Sequence, residues 1–246
     1  MNDDVSTLAE WIASSPSTVF FGGAGVSTES GIPDFRGANG FYFQEREIPL
    51  ETVLSIDFFT QHPEAYWEWF HEVHRPVEPN GAHKALASLE AAGRLDAVVT
   101  QNIDGLHQRA GSERVLELHG NWSRLSCTGC GERFTLDDVD GARSGEVPHC
   151  TACASVLRPD IVFYGEMLDS DVMEGAVRAI SEADLLIVAG TSLVVYPAAG
   201  LIDYYAGERL VLMNATPTPY DSRADLIIRE PVRQVFEELG RWSRRP

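Results

Sequence analysis

Short apolar runs alternate with amphipathic stretches along this chain. Residues 6–14 place Leu8, Trp11 and Ile12 on one side of a helical repeat. Thr18-Val19-Phe20-Phe21 follows as an unbroken apolar run, β-branched and aromatic, the pattern of a buried strand. Comparable runs recur at 95–100, 183–189 and 209–213. Helical patterns occupy 83–92, which Gly93 ends, and 231–239, with Pro231 in the first turn and Gly240 as the stop. Residues 115–119 alternate instead, with Leu116 and Leu118 on one face and Val115, Glu117 and His119 on the other. Continuous apolar strands belong to sheets covered on both faces. Their alternation with helices predicts an α/β fold built on a doubly wound parallel sheet.

Two segments interrupt that rhythm. Residues 39–80 are dense in aromatics, among them Phe41, Tyr42, Phe43, Phe58, Phe59, Tyr66, Trp67, Trp69 and Phe70. Helices are predicted there at 56–59 and 64–73, closed by Pro76 and Pro79, with most of the rings forming a local core. The second segment, 123–156, carries Cys127-x-x-Cys130 and Cys150-x-x-Cys153, every cysteine of the chain. Two such pairs form the tetrathiolate zinc-ribbon pattern, in which thiolates hold one Zn2+ at about 2.3 Å and leave no site for water. The ion is therefore expected to be structural. Disulfides are the alternative reading, disfavoured in a reducing compartment. His149 adjoins Cys150 and reads as a bystander. The expected division is a Rossmann-like large domain of 1–38, 81–122 and 157–246, and a small domain of 39–80 and 123–156, helical lid plus zinc module. A cleft between the two is the expected site.

The chemistry clusters at strand ends. After the first strand, residues 22–36 read GGAGVSTESGIPDFR. Gly22, Gly23 and Gly25 permit a sharp turn and close approach to a ligand. A short helix is expected at 26–30, ended by Gly31 and Ile32-Pro33, so that a helix N-terminus faces an anion. Asp34, Phe35 and Arg36 add a carboxylate, an aromatic plate and a guanidinium fork. Thr28 stands where a dinucleotide fingerprint has its third glycine, and no ribose-binding acid follows about 20 residues on, which argues against an ordinary dehydrogenase. A tight turn with no ligand is the plain alternative. Gln101, Asn102 and Asp104 sit at the exit of the 95–100 strand, as a ligand site or a surface turn. His119 ends its strand before Gly120, and Gly190-Thr191-Ser192 forms a second small-residue loop.

Taken in order, the 22–36 string, Thr100 to His107, His119-Gly120, the paired cysteines, Phe163-Tyr164-Gly165-Glu166 and Gly190-Thr191-Ser192 resemble the sirtuins over nearly the whole chain. These are the silent-information-regulator family of NAD-dependent protein deacylases. The resemblance implies that NAD is consumed as a co-substrate and zinc is structural. It implies NAD contacts at Gly23, Ala24, Gly25, Asp34, Phe35, Arg36, Gln101, Asn102, Ile103, Asp104, Gly190, Thr191, Ser192, Asn214 and Val232. Asn214 would meet the adenosine ribose, and Asp104 the nicotinamide carboxamide. His119 would act as general base, with Asn102 and Asp104 completing the catalytic set. Val162, Phe163, Gly165, Glu166, Val194 and Val195 would receive an acyl-lysine peptide as an added strand. A few aromatics of the lid would line an acyl channel. Sirtuins that take succinyl or malonyl groups carry Tyr-x-x-Arg, whereas here Tyr66 is followed by Trp69, so acetyl and longer neutral acyl groups are expected. Mono-ADP-ribosyl transfer or NAD hydrolysis at the same cleft is the enzymatic alternative, and a zinc-ribbon binding module the non-enzymatic one.

Charge narrows the partners. The net charge of the 246 residues is −18, with 37 acidic side chains against 19 basic ones. Lys84 is the one lysine. Nucleic acid and anionic membranes want basic patches, so both are excluded as expected partners, and basic acyl-lysine segments are favoured. The acidic start Met1-Asn2-Asp3-Asp4 lacks signal-peptide character, and no run approaches the roughly 20 apolar residues of a membrane span. A cytoplasmic monomer is expected.

Overall fold

The computed structural model describes residues 3–35, 37, 40–139 and 146–242. In chain order its strands are β1 (Thr18–Gly22), β2 (Ala97–Thr100), β3 (Val115–Glu117), β4 (Gly120–Cys127), β5 (Arg133–Thr135), β6 (Leu157–Ile161), β7 (Leu185–Ala189), β8 (Leu210–Met213) and β9 (Leu226–Ile228). Its helices are α1 (Asp3–Ser14), α2 (Leu50–Val53), α3 (Ile56–Gln61), α4 (Pro63–Val73), α5 (Gly81–Ala91), α6 (Leu106–Ala110), α7 (Ser170–Ser181) and α8 (Val232–Trp242). Caps explain several starts: Ser55 accepts the Phe58 amide, Asn80 the Ala82 amide, and Asp169 the amides of Asp171 and Val172.

Six strands form one parallel sheet in the order β3-β2-β1-β7-β8-β9. Every residue of β1, β2, β7 and β8 is buried, as their apolar runs require. Alternate residues feed two cores. Phe20, Val98, Ile187 and Val211 pack under α1, α5 and α8, against Leu8, Leu86 and Phe236. Phe21, Val99, Val188 and Leu212 pack on the other face against Ala176 and Ile180 of α7 and Leu201 and Ile202 of the 3₁₀ turn Ala198–Tyr204. The chain leaves β1 in one direction and returns beside it at β7, so β1 and β7 flank the switch point where such sheets bind ligands. Gly22 is level with Thr100 on one side and Ala189 on the other. The loops after these three strands therefore emerge side by side.

A second, antiparallel sheet has the order β5-β4-β6, with a register shift between Asn121 and Leu125. It packs with α2–α4 in a third core, where Tyr66, Trp67 and Phe70 are fully buried beside Trp122, Leu125 and Phe163. The lid aromatics are therefore mainly core. β4 crosses the expected boundary after residue 122, whereas β6 begins at the one at 157.

Two expectations need correction. No α-helix occupies 26–30; two 3₁₀ turns, Ala24–Val26 and Thr28–Ser30, lie there with Ser27 between them, and Gly31 ends the second at φ 94°. The α-helix N-terminus expected to face an anion is thus not formed. Gly240 does not stop the last helix, which runs to Trp242 because Val235, Phe236 and Leu239 anchor it to the core. A mid-helix glycine costs only about 1 kcal/mol, which such burial outweighs. The short strand β9 and helices α2, α6 and α7 complete the fold without having been read in advance.

Candidate active site

The glycines at the strand tips serve first to bring two loops together. The Gly23 amide donates to the Ala189 carbonyl at 3.1 Å and the Gly25 amide to the Gly190 carbonyl at 2.8 Å. A Cβ on Gly25 would lie 2.7 Å from Gly190 Cα, and one on Gly190, at φ 62°, 2.6 Å from the Val26 nitrogen. Gln101 Nε2 donates to Thr191 Oγ1 at 2.9 Å, so the loop after β2 joins the same cluster. These loops floor a cleft of about 730 Å³.

Behind it lies a small buried network. Ser27 Oγ donates to Asp104 Oδ2 at 2.6 Å and accepts from Asn102 Nδ2 at 3.1 Å. The Leu106 amide donates to Asp104 Oδ1 at 2.9 Å. Burial pushes the Asp104 pKa up, and its bonds to Ser27 and Leu106 oppose that. Each carboxyl oxygen keeps acceptor capacity for a ligand amide. Ser27 also lies 3.4 Å from His83 Nε2, and His83 Nδ1 accepts the Asn80 amide, so Nε2 carries the proton. Burial lowers His83 to about 4 and keeps it neutral.

His119 has its tautomer set by the backbone. Its Nδ1 lies 2.8 Å from the Gln101 carbonyl, which can only accept, so Nδ1 carries the proton and Nε2 is the free base. Burial lowers its pKa, and the bond to Gln101 works against that shift. The imidazole is therefore neutral near pH 7.

The far wall is the segment after β6. The Val162 amide donates to the His119 carbonyl at 2.9 Å, tying this wall to the imidazole-bearing residue. Glu166 is committed within the protein: it receives Arg158 on both oxygens, at 2.7 and 2.8 Å, and the Phe163 amide at 2.9 Å. It braces the strand through these three bonds while lining the cleft. Phe163 is only 2% exposed, against Phe59 and Tyr66. Asp34 caps its own loop, accepting the Gly37 amide at 2.8 Å, and Phe35 packs on Phe41 and Tyr42.

Apart from Val194 and Arg36, all the expected cofactor and substrate residues line this one cleft with His119. Val194 is 48% exposed and stands outside the lining, and Arg36 lies outside the described residues. Trp69, one of the lid aromatics, lines the cleft too, and Ser27, Trp122, Tyr196 and Arg233 do so without having been singled out. Ser27 sits inside the quoted glycine string, so a signal was there; the others carry no local mark.

The four cysteines converge as their spacing requires. Their sulfurs all lie within 4.8 Å of one another, Cys127 to Cys153 at 3.3 Å and Cys130 to Cys150 at 3.7 Å. A tetrahedral zinc with bonds of about 2.3 Å places its sulfurs about 3.8 Å apart. No pair is at disulfide length. The amides of Gly129 and Cys130 point at the Cys127 sulfur, at 3.3 and 3.4 Å, as they do in metal-binding knuckles. His149 turns its Nδ1 to the Ala154 carbonyl and stays out of the set. Four thiolates holding one Zn2+ is the chemistry these donors fit.

Fold and site together define a nucleotide-binding α/β protein of the Rossmann type, carrying a four-cysteine zinc module beside its cleft. More narrowly, the chain belongs to the Sir2 family, whose model matches residues 23–197. It is similar to proteins named NAD-dependent protein deacetylase from Clostridium acetobutylicum and Clostridium perfringens. The first is 49% identical, over 96% of this chain and 98% of that relative. The second is 50% identical, over 97% and 99%. Among solved structures, a Sir2 complex with a p53 peptide and NAD+ matches at a TM-score of 0.87 and 42% identity, covering 97% of this chain and 98% of that one. A Sir2 complex with deacetylated p53 peptide and O-acetyl-ADP-ribose matches at 0.89 and 42%, with the same coverage.

Proposed function

We propose that this chain is an NAD-dependent protein-lysine deacetylase, releasing nicotinamide, the free lysine and O-acyl-ADP-ribose. The observation that carries this reading is the His119 imidazole, with Nδ1 pinned to a carbonyl and Nε2 left basic in a switch-point cleft. Relatives named for this activity, and Sir2 structures holding NAD+ or the acetylated product beside a peptide, support it.

NAD supplies the ribose carbon that accepts the acyl oxygen, with nicotinamide as leaving group. The residues of the chain bind and orient around that exchange. The glycine loops after β1 and β7 pack so closely that a Cβ on Gly23, Gly25 or Gly190 would strike the facing loop, and together they form the floor on which the dinucleotide would lie. Asp104, steadied by Ser27 and the Leu106 amide, receives the carboxamide. Asn102 and Gln101 face the ribose. His119 Nε2 takes the proton of a ribose hydroxyl, a role worth about 10²–10⁴-fold in rate. The substrate enters as a strand between residues 162–165 and 192–195. Lid and zinc module would together form the small domain, 39–80 and 123–156, against a large domain of 1–38, 81–122 and 157–246.

Neutral acyl groups fit best. Tyr66 is fully buried with its hydroxyl unpartnered, and Trp69 lines the cleft three residues on. Neither offers a charge to a dicarboxylic acyl chain. The acidic surface favours basic segments around the acyl-lysine.

The test is mass spectrometry of products from NAD with acetyl-, butyryl- and succinyl-lysine peptides. O-acetyl-ADP-ribose should form, and His119→Ala should slow it by the factor above. Because burial lowers the His119 pKa below 6.5, the acid limb of kcat/KM should fall below pH 6.5. Nicotinamide release that ignores acyl peptide, or full activity in His119→Ala, would overturn the assignment.

A further inference from the structure

The loop after β8 carries Asn214, Ala215 and Thr216 into the cleft, and it has few bonds of its own. Two of its residues, Pro217 and Pro219, lack an amide hydrogen. Its second half caps itself: Asp221 Oδ1 accepts the Thr218 amide at 3.0 Å and its hydroxyl at 2.7 Å. The first half has no such device. The Asn214 amide donates to the Ile228 carbonyl at 3.0 Å, and the Asn214 side chain donates to the Thr216 carbonyl at 3.2 Å. The remaining hold comes from Arg229, the residue after β9.

Met213 is level with Ile228, so Asn214 and Arg229 leave adjacent strands together. One Arg229 nitrogen donates to the carbonyls of Asn214 and Thr216, both at 3.0 Å, and the other pairs with Asp221 Oδ2. The guanidinium thus joins both halves of the loop and stays outside the cleft lining itself. A planar fork with fixed donor directions can serve two carbonyls and a carboxylate at once; an ammonium cannot.

We propose that Arg229 is a positioning residue for the adenosine half of the dinucleotide, acting as the post around which residues 214–221 wind. It touches no substrate atom and works through Asn214, Ala215 and Thr216. This rests on the reading that the cleft takes NAD with its adenosine end at Asn214.

The experiment compares full-length wild type, Arg229→Ala, Arg229→Lys and Asp221→Asn. Calorimetric titration with ADP-ribose is read beside steady-state kinetics against NAD and acetyl-lysine peptide. Losing charge-assisted bonds to the loop should weaken ADP-ribose binding and raise the NAD KM about tenfold in Arg229→Ala. Kcat and the peptide KM should hold within about twofold, and the melting temperature should not move, since the guanidinium lies on the surface. Arg229→Lys should recover only part of the affinity. Asp221→Asn, which keeps a group at the Thr218 cap, should weaken binding less than Arg229→Ala. Unchanged ADP-ribose affinity in Arg229→Ala overturns the proposal, and so does an equal rise in both KM values, the mark of general loosening. Should Arg229→Ala not fold, Asp221→Asn decides by the same two readouts. If wild type itself binds no ADP-ribose, the reading of the cleft falls and this proposal with it, a result distinct from a defect confined to the variants.

Discussion

In the six-stranded sheet, β1, β2, β7 and β8 bury every residue; in the three-stranded sheet, β5 buries none and β4 half. The large sheet draws its stability from two cores spread over five helices and turns. The small one leans on aromatic packing at one side and on four thiolates at the other. The lesson is that one chain can hold the two walls of a single cleft by different physics. Agents that attack one kind of hold should spare the other.

Zinc removal should give the largest effect. Metal binding supplies on the order of 10 kcal/mol to modules of this kind. A chelator, or Cys150→Ser, should abolish activity and the near-UV signal of Trp67, Trp69 and Trp122. The far-UV signal of the parallel sheet should largely persist. Joint loss of both signals would show that the two regions are not separable.

Acid should act the other way round, on the large region. His83 of α5 and His107 of α6 are buried, lowered by desolvation to about 4 and about 3, and His107 is further depressed by its neighbour His83. Their folded values lie below the unfolded 6.5, so the unfolded chain takes up protons first as pH falls. Stability should therefore drop from pH 6.5 toward pH 4 by about 1.4 kcal/mol per unit for each histidine. Asp104 works in the opposite sense: its pKa is raised by burial, so its contribution is greatest in acid and is lost as pH rises through the folded value. Urea melts across this range check the slope. His107→Leu should flatten it, because neither ring nitrogen has a partner to lose.

Gly25→Ala should come next, at about 1–3 kcal/mol, because its Cβ would press on Gly190 backbone that cannot yield. NAD binding should weaken with it. Gly93→Ala is the mild control: its φ of 65° is strained for alanine, yet nothing lies within 4 Å. It should cost about 1 kcal/mol in thermal melts and leave activity intact. Equal NAD affinity in both variants would break the claim that loop contact, and not backbone conformation alone, requires Gly25.

Much of this was legible beforehand because the signals are local. An apolar run such as 18–21 reports burial on two faces wherever it sits, and a Cys-x-x-Cys pair reports a metal knuckle by its own geometry. β9 was not legible, since three residues between Asp225 and Arg229 carry too little pattern. The 3₁₀ turns around Ser27 mimic a helix in their residue types and differ only in what Ser27 must reach. That Glu166 pairs with Arg158, eight residues earlier, through both its oxygens is likewise seen only in the folded chain.

From the sequence alone came the parallel α/β class, the aromatic core of the lid, the four zinc thiolates and the strand-end residues that meet in the cleft. Each of these depends on neighbours a few positions apart. Which groups face one another was decided only in three dimensions. Ser27 reaches Asp104 across 77 positions, Gln101 reaches Thr191 across 90, and His119 finds the Gln101 carbonyl. Strand order sets these meetings, and strand order follows from how whole faces pack, which no local stretch of residues encodes.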